Sequence, residues 1–195
     1  MNILEKYITD NNQFIIIISG IPGTSKTIFA KKLCKNLNEG LSNNTKIKLI
    51  RLSNYLIKDK YKTFVEDDIK FKIYDCPENY DWDKLNEDVS KEKGAVIVGN
   101  IFDGSKINFK YNVSYYFDTS YINYKEYIID KKIIKDSEEK TIDTYVYKIF
   151  KPMYEEYKKT INYKIFNIKK DTMFLEIYDQ VFKFIIHYLD KKVYE

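Results

Sequence analysis

The segment Phe14 to Thr27, FIIIISGIPGTSKT, constrains this chain more than any other. An apolar run without alternation passes directly into a loop of small residues, and the loop ends in Lys-Thr where a helical pattern begins. Phe14 to Ile18 is short, β-branched and uniformly apolar, as suits a strand buried on both faces of a parallel sheet. From Lys26 the string KTIFAKKLCKNL places Ile28, Phe29, Leu33 and Leu37 at helical spacing, with Gly40 as a C-terminal signal.

The loop Gly20-Ile21-Pro22-Gly23-Thr24-Ser25-Lys26-Thr27 fits the pattern G-x-x-x-x-G-K-[ST] at every position but one. Serine at position 25 stands where the second glycine usually lies. A loop with this little side-chain bulk lets consecutive backbone N–H groups point at phosphate oxygens, where a helix N-terminus adds partial positive charge. In that reading Lys26 reaches the β- and γ-phosphates of ATP or another NTP, and Thr27 ligates Mg²⁺. A Gly-Pro-Gly turn with no ligand competes with this reading, but it gives Lys26-Thr27 no reason to stand at the helix start.

With 195 residues the chain matches one domain, 1–195, and is long enough to bury about 70% of its unfolded surface without a disulfide or metal staple. The net charge of +4 comes from interspersed lysines and acids, so a solvated surface is expected rather than a nucleic-acid or membrane partner. Cys34 and Cys76 lie far apart without metal-ligand spacing, and His187 is the single histidine. Cys34 and His187 both read as residues on apolar helix faces. MNILEKYITD carries acids unlike a signal peptide, and no apolar stretch reaches bilayer length, so the expected compartment is the cytoplasm. An oligomer is neither required nor supported by the sequence.

Strand and helix patterns alternate along the rest of the chain. KIKLIRL at Lys46 to Leu52 alternates like a strand, and AVIV at Ala95 to Val98 reads as a buried one. Between them Asp81 to Lys93 predicts a helix with Trp82, Leu85 and Val89 on one face. Val113 to Phe117 and Tyr163 to Asn167 predict two further strands, and Ser120 is a good N-cap for an intervening helix. From Thr172 the residues Met173, Phe174, Ile177, Val181, Phe184, Ile185 and Tyr188 recur at three and four, which predicts an amphipathic terminal helix. The fold expected is α/β, a three-layer P-loop NTPase fold with a central parallel sheet. Ligands then belong outside the carboxyl ends of the strands, in the loops after Ile18, Leu52, Val98 and Phe117.

Further segments carry a resemblance. YDCPENYDWDKL at Tyr74 to Leu85 resembles the D-H-P-x-x-[FY]-D segment of the uridine kinase and nucleoside kinase family of P-loop proteins. FDTS from Phe117, KKIIKD from Lys131 and IFKPMYEEY from Ile149 resemble, in order, that family's post-strand aspartate, its R-R-x-x-R-D lid helix and its K-P-x-[FY]-E-[EKR] helix. The resemblance implies a kinase-like fold with a helical lid over about residues 121–145. It implies that Lys131, Lys132 and Lys135 cover the nucleotide phosphates, and that Asp75 hydrogen-bonds the hydroxyls of an acceptor nucleoside. Lysine lacks the bidentate fork that arginine offers phosphate, and a solvated lysine cluster competes with the lid reading. For Asp75-Cys76-Pro77 the competitor is a loop whose proline breaks a strand.

The departures are specific. Where the family has its general-base aspartate after the second strand, this chain has Ser53-Asn54-Tyr55, and the fourth strand's E-G appears as Gly99-Asn100. Lys93 and Gly94 lead almost directly into AVIVGN, so the family's long hairpin is not expected. Asp59, Glu66, Asp67, Asp68 and Asp103 are the acids near enough in sequence to replace the missing carboxylate. Two functions follow: an ATP- and Mg²⁺-dependent kinase acting on a nucleoside-like hydroxyl, or a catalytically degenerate nucleotide-binding protein of the same fold.

Overall fold

The computed structural model describes residues 2–66, 68–131, 133–134, 139–169 and 174–194. In chain order the elements are α1 (Ile3–Asn11), β1 (Phe14–Gly20), α2 (Lys26–Leu37), β2 (Ile47–Arg51), β3 (Lys62–Glu66), β4 (Ile69–Ile73) and α3 (Trp82–Ser90). There follow β5 (Gly94–Val98), β6 (Val113–Asp118), α4 (Tyr121–Asp130), α5 (Glu139–Asp143), a π-helical segment (Thr144–Phe150), α6 (Lys151–Tyr157), β7 (Lys164–Asn167) and α7 (Phe174–Tyr194).

The alternation expected from the sequence builds a five-stranded sheet in the order β2-β5-β1-β6-β7. Every pairing in it is parallel. Strand β1 is central, and every one of its positions is buried. Its side chains divide by pleat: Ile15 and Ile17 pack with Leu85, Val89, Ile128 and Tyr154, whereas Phe14, Ile16 and Ile18 pack with Leu4, Leu33, Val181 and Ile185. Helices α3, α4 and α6 thus cover one face, and α1, α2 and α7 cover the other. This is the α/β three-layer arrangement of a P-loop NTPase fold, and it explains why the run FIIII contains no polar residue.

Several local expectations change. Ile28 is 64% exposed, because α2 turns it away from the sheet while Phe29 and Leu33 supply the buried stripe. His187 is exposed rather than on the apolar face of α7, whereas Cys34 is buried as expected. Helix α1, unforeseen, buries Leu4, Tyr7 and Ile8 and is capped by Asn2, whose side chain accepts from the Leu4 N–H. A hairpin is present after all: β3 and β4 pair antiparallel from Lys62↔Ile73 to Glu66↔Ile69, with Asp68 at a positive φ of 60° in the turn. Among the described residues no helix is long and apolar enough to cross a membrane.

Burial on both faces makes β1 sensitive to truncation. Ile17→Ala is expected to lower unfolding free energy by about 2–5 kcal/mol. By urea titration Ile28→Ala should change it by less than about 0.5 kcal/mol.

Candidate functional site

The loop between β1 and α2 lies at the carboxyl end of the sheet. Gly20 has φ 140°, and a Cβ there would lie 2.1 Å from the Phe117 carbonyl oxygen, so the close approach of β1 to β6 admits only glycine. Gly23 has φ 87°, and a Cβ there would meet the Tyr127 ring of α4 at 2.9 Å. The irregular Ser25 is the N-cap of α2 in the left-handed region, at φ 56° and ψ 15°, and its side chain makes no capping bond. The backbone at this position therefore keeps the conformation that glycine tolerates best, and serine carries a steric cost there of about 1–2 kcal/mol. Ser25→Gly should consequently raise thermal stability. A lower melting temperature would show that the serine side chain contributes something the geometry omits.

Lys26 is buried at 5% exposure, with Nζ donating to the Ile21 carbonyl at 3.0 Å. The Thr24 hydroxyl donates to the same oxygen at 2.8 Å. Desolvation brings the Lys26 ammonium down from its ordinary 10.5 to about 7, opposed by the nearby negative charge of Asp75. Thr27 is exposed on the first turn of α2. Among the described residues no group of three or more His, Cys, Asp or Glu is placed to hold a metal. One hydroxyl, phosphate oxygens and water suit Mg²⁺, which keeps several of its own waters, so this donor set fits the expected ion.

Asp75 stands in the turn between β4 and the short helical turn Pro77–Asn79. Asn100 donates its side-chain amide to Asp75 Oδ1 at 3.0 Å, and the Tyr154 hydroxyl donates to Oδ2 at 3.2 Å. Tyr80 approaches Oδ1 at 3.5 Å. Burial and the Asp75 charge raise the pKa of Tyr80, Tyr124, Tyr145 and Tyr154 alike. These hydroxyls stay protonated and can donate. The Asn100 carbonyl also accepts from Gly20 N–H at 3.3 Å and from Ser19 Oγ at 3.3 Å, so one residue ties the loop's root to Asp75. Gly99-Asn100, which the sequence presents as a departure, is thus part of the site's frame.

Buried Asn79 holds the Asp75 turn in place. Its amide donates to the Ile73 carbonyl at 2.7 Å and the Tyr74 carbonyl at 2.9 Å, while its oxygen accepts from Lys62 N–H at 3.2 Å. Cys76 beside it is buried, and its thiol is pushed up to about 11 by burial and by its bond to Glu78, so it stays protonated. An aromatic column ends at Tyr154 beside Asp75. Tyr127 neighbours Tyr124 at 6.4 Å, and Phe150 stacks between Tyr124 and Tyr154 with both centroids 3.9 Å away. The hairpin joins the π-helical segment through a Glu66–Lys148 ion pair and a Phe71–Tyr145 ring contact at 6.1 Å.

The remaining candidates are placed as follows. Ser53 and Asn54 are exposed in a short helical turn, and Asp59 and Asp68 are exposed too. Glu66 is taken up by Lys148, and Asp103 caps its own loop by accepting from Ser105 N–H and Oγ. None of these replaces the missing carboxylate; Asp75 is the acid that interacts with Lys26. Asp118 pairs with Lys158. The lid expectation needs correction: α4 stops at Asp130, and Lys131 is its exposed C-cap rather than part of a cationic helix. The chain becomes helical again in α5 and passes through the π-helical segment, so the region has two helical arms. Lys132, Lys135 and Asp67 lie outside the described residues. The signal that could have located Tyr154 was present in KPMYEEY. Tyr80 is the aromatic of the segment DCPENYD, whereas no local pattern distinguishes Asn100 or Tyr127.

A cavity of about 350 Å³ opens beside the loop, lined by residues from Pro22 to Ser25, by one face of α4, by Ile168-Lys169 after β7 and by the start of α7. This is the size of a small-ligand site. Neither Lys26, Asp75 nor Lys131 lines it.

No family model matches the chain, and no curated protein matches it. Solved structures do resemble it. A provisionally named fructose transport system kinase from Silicibacter sp. TM1040 superposes with a TM-score of 0.53 at 10% identity, covering 87% of this chain and 100% of that one. An uncharacterised protein from Eubacterium ventriosum ATCC 27560 gives a TM-score of 0.50 at 19% identity, over 90% of this chain and 99% of that one. A thymidylate kinase from Ehrlichia chaffeensis reaches 0.42 at 12% identity over 89% and 98% of the two chains, and no argument rests on it. The chain has a P-loop kinase-like fold.

The depressed Lys26 pKa has a stability consequence whose sign is fixed. Between pH about 7 and 10.5 the unfolded chain holds a proton that the folded chain has released, so this group makes stability rise with pH across that window. Below pH 7 the gain is lost. In urea titrations without nucleotide, Lys26→Met should flatten this rise; an unchanged slope would place its origin elsewhere.

Proposed function

We propose that this chain is an NTP- and Mg²⁺-dependent small-molecule kinase of the nucleoside kinase type, transferring the γ-phosphoryl group to a hydroxyl of a nucleoside-like acceptor. The observation that carries the reading is the electrostatic coupling of buried Lys26, at the root of α2, to Asp75, held by Asn100 and Tyr154. One group is chemically suited to phosphate and the other to a hydroxyl, and phosphoryl transfer requires both at one site. The resemblance of Tyr74 to Leu85 to the nucleoside kinases supports the acceptor assignment.

Each residue would act through its position and charge. The Lys26 and Thr27 N–H groups that open α2 would face the phosphates, while Ile28 N–H already donates to the Ser25 carbonyl, and Lys26 exchanges the Ile21 carbonyl for β- and γ-oxygens. Thr27 would be the protein ligand of Mg²⁺, which when bound supplies charge neutralisation across those oxygens. Asp75 accepts the hydrogen bond of the acceptor hydroxyl and takes up its proton as the oxygen bonds to the γ-phosphorus and the bond to the β–γ bridging oxygen breaks, the electron pair leaving with the nucleoside diphosphate. Tyr154 and Asn100 hold that carboxylate.

A second reading, nucleotide binding without transfer, is favoured by one specific observation: no carboxylate stands at the end of β2, where Ser53 and Asn54 are exposed. Incubation with labelled NTP, Mg²⁺ and a panel of nucleosides separates the two. The kinase reading expects product that Lys26→Ala abolishes. Asp75→Asn should reduce it by about 10²- to 10⁴-fold, as for loss of a group acting on the transferred proton. Nucleotide-dependent thermal stabilisation with no product above the Lys26→Ala control would replace it with the second.

A further inference from the structure

The β3–β4 hairpin has one face buried and one face bare. Phe71 and Ile73 turn inward and join the core cluster that holds Trp82, and Phe64 packs against it. The opposite side of the pleat carries Tyr61, Thr63 and Val65 along one strand and Lys70, Lys72 and Tyr74 along the other, and all six are exposed. The register sets Thr63 opposite Lys72 and Val65 opposite Lys70. Tyr61 and Tyr74 meet at the open end with ring centroids 5.2 Å apart, and Lys72 Nζ lies 5.6 Å from the Tyr61 centroid, so these three share a side.

Charges that are interspersed along the sequence are sorted by the pleat here. Glu66 pairs with Lys148 of the π-helical segment, and Lys62 pairs with Glu78. The six residues of the bare face include two lysines and no acid, and Asp68 stands beyond them in the turn. Tyr61 and Tyr74 are 40% and 48% exposed, so part of each ring faces solvent beside an ammonium group.

We propose that this face binds single-stranded nucleic acid, with successive phosphates on Lys70 and Lys72 and a base stacked on Tyr61 or Tyr74. Lysines two residues apart on one strand stand about 7 Å apart, close to the repeat of phosphates along an extended single strand. Exposed rings beside cations give unpaired bases a surface to stack on, and a duplex, whose bases are paired inside, cannot use it. An anionic membrane or an acidic peptide would use the lysines and leave the rings without a role. The site is separate from the phosphate loop and does not depend on the kinase reading.

The test is fluorescence anisotropy of labelled oligo(dT) and oligo(rU), and of a DNA duplex of equal length, with the full chain at about 50 mM salt. The single strands should bind at least about fivefold more tightly than the duplex. Lys70→Gln with Lys72→Gln should reduce the slope of log affinity against log salt by about 0.7 for each lysine removed. Tyr61→Leu with Tyr74→Leu should weaken binding about fivefold or more and leave that slope unchanged. Lys183→Gln with Lys192→Gln, exposed on α7, should leave the slope unchanged. Melting temperatures unaltered by these exposed substitutions exclude misfolding as the cause. Failure of both single strands to bind, tighter binding of the duplex, a slope unaltered by the Lys70 and Lys72 pair, or an affinity unaltered by the tyrosine pair overturns the proposal. Displacement of the strand by pyrophosphate and Mg²⁺ at constant ionic strength would place it in the phosphate loop and overturn it too.

Discussion

An ammonium group removed from water must find compensation in the protein or in a ligand, and in this chain the Lys26 side chain imposes that demand. Its compensation is small: the Ile21 carbonyl, already shared with Thr24, and the field of Asp75. The arrangement around it follows from that shortage. Strand β1 delivers the loop to the carboxyl end of the sheet, Gly20 lets β6 close against it, and α2 begins where Lys26 can turn inward. A phosphate group entering the loop would supply the charge the protein withholds. The apo state is thus poised for an anion by burial as much as by backbone geometry.

The surroundings of Asp75 are built from contacts between distant segments. Asp75 is useful only because Asn100 from the loop after β5 and Tyr154 from α6 hold its two oxygens. Asn100 also accepts from the root of the phosphate loop. The hairpin, the π-helical segment and α4 meet through Phe71–Tyr145, Glu66–Lys148 and the Tyr124–Phe150–Tyr154 stack. A π-helical turn where the stack must meet both arms agrees with the tendency of such turns to occur at functional positions.

Local patterns reveal the sheet and the loop; contacts between distant segments build the rest. The strands from Phe14 and Ala95 are legible as contiguous apolar runs because they are buried on both faces, and the strand from Lys46 is legible by its alternation. The hairpin is not, because both its strands carry lysines on exposed faces, and Asp68 takes a positive φ where glycine would be the usual signal. Helix α1 went unseen because its buried stripe has only Leu4, Tyr7 and Ile8 among polar residues. Asp75, Tyr80 and Tyr154 all stand at positions of the resembling motifs, but the motifs do not say that the three meet, and Asn100 reads as a loss. Lys131 shows the converse, a motif position that the end of α4 leaves outside the cavity.

In the proposed function, bound phosphate replaces the Ile21 carbonyl at Lys26, whose ammonium burial brings down to about 7 in the empty protein. Proton linkage reads this directly. Nucleotide is titrated calorimetrically at pH about 8.5 in two buffers of different ionisation enthalpy. Phosphate contact should return Lys26 to the charged form, with net uptake of about one proton per nucleotide bound, absent in Lys26→Met. Nucleotide binding with no proton uptake would contradict the account.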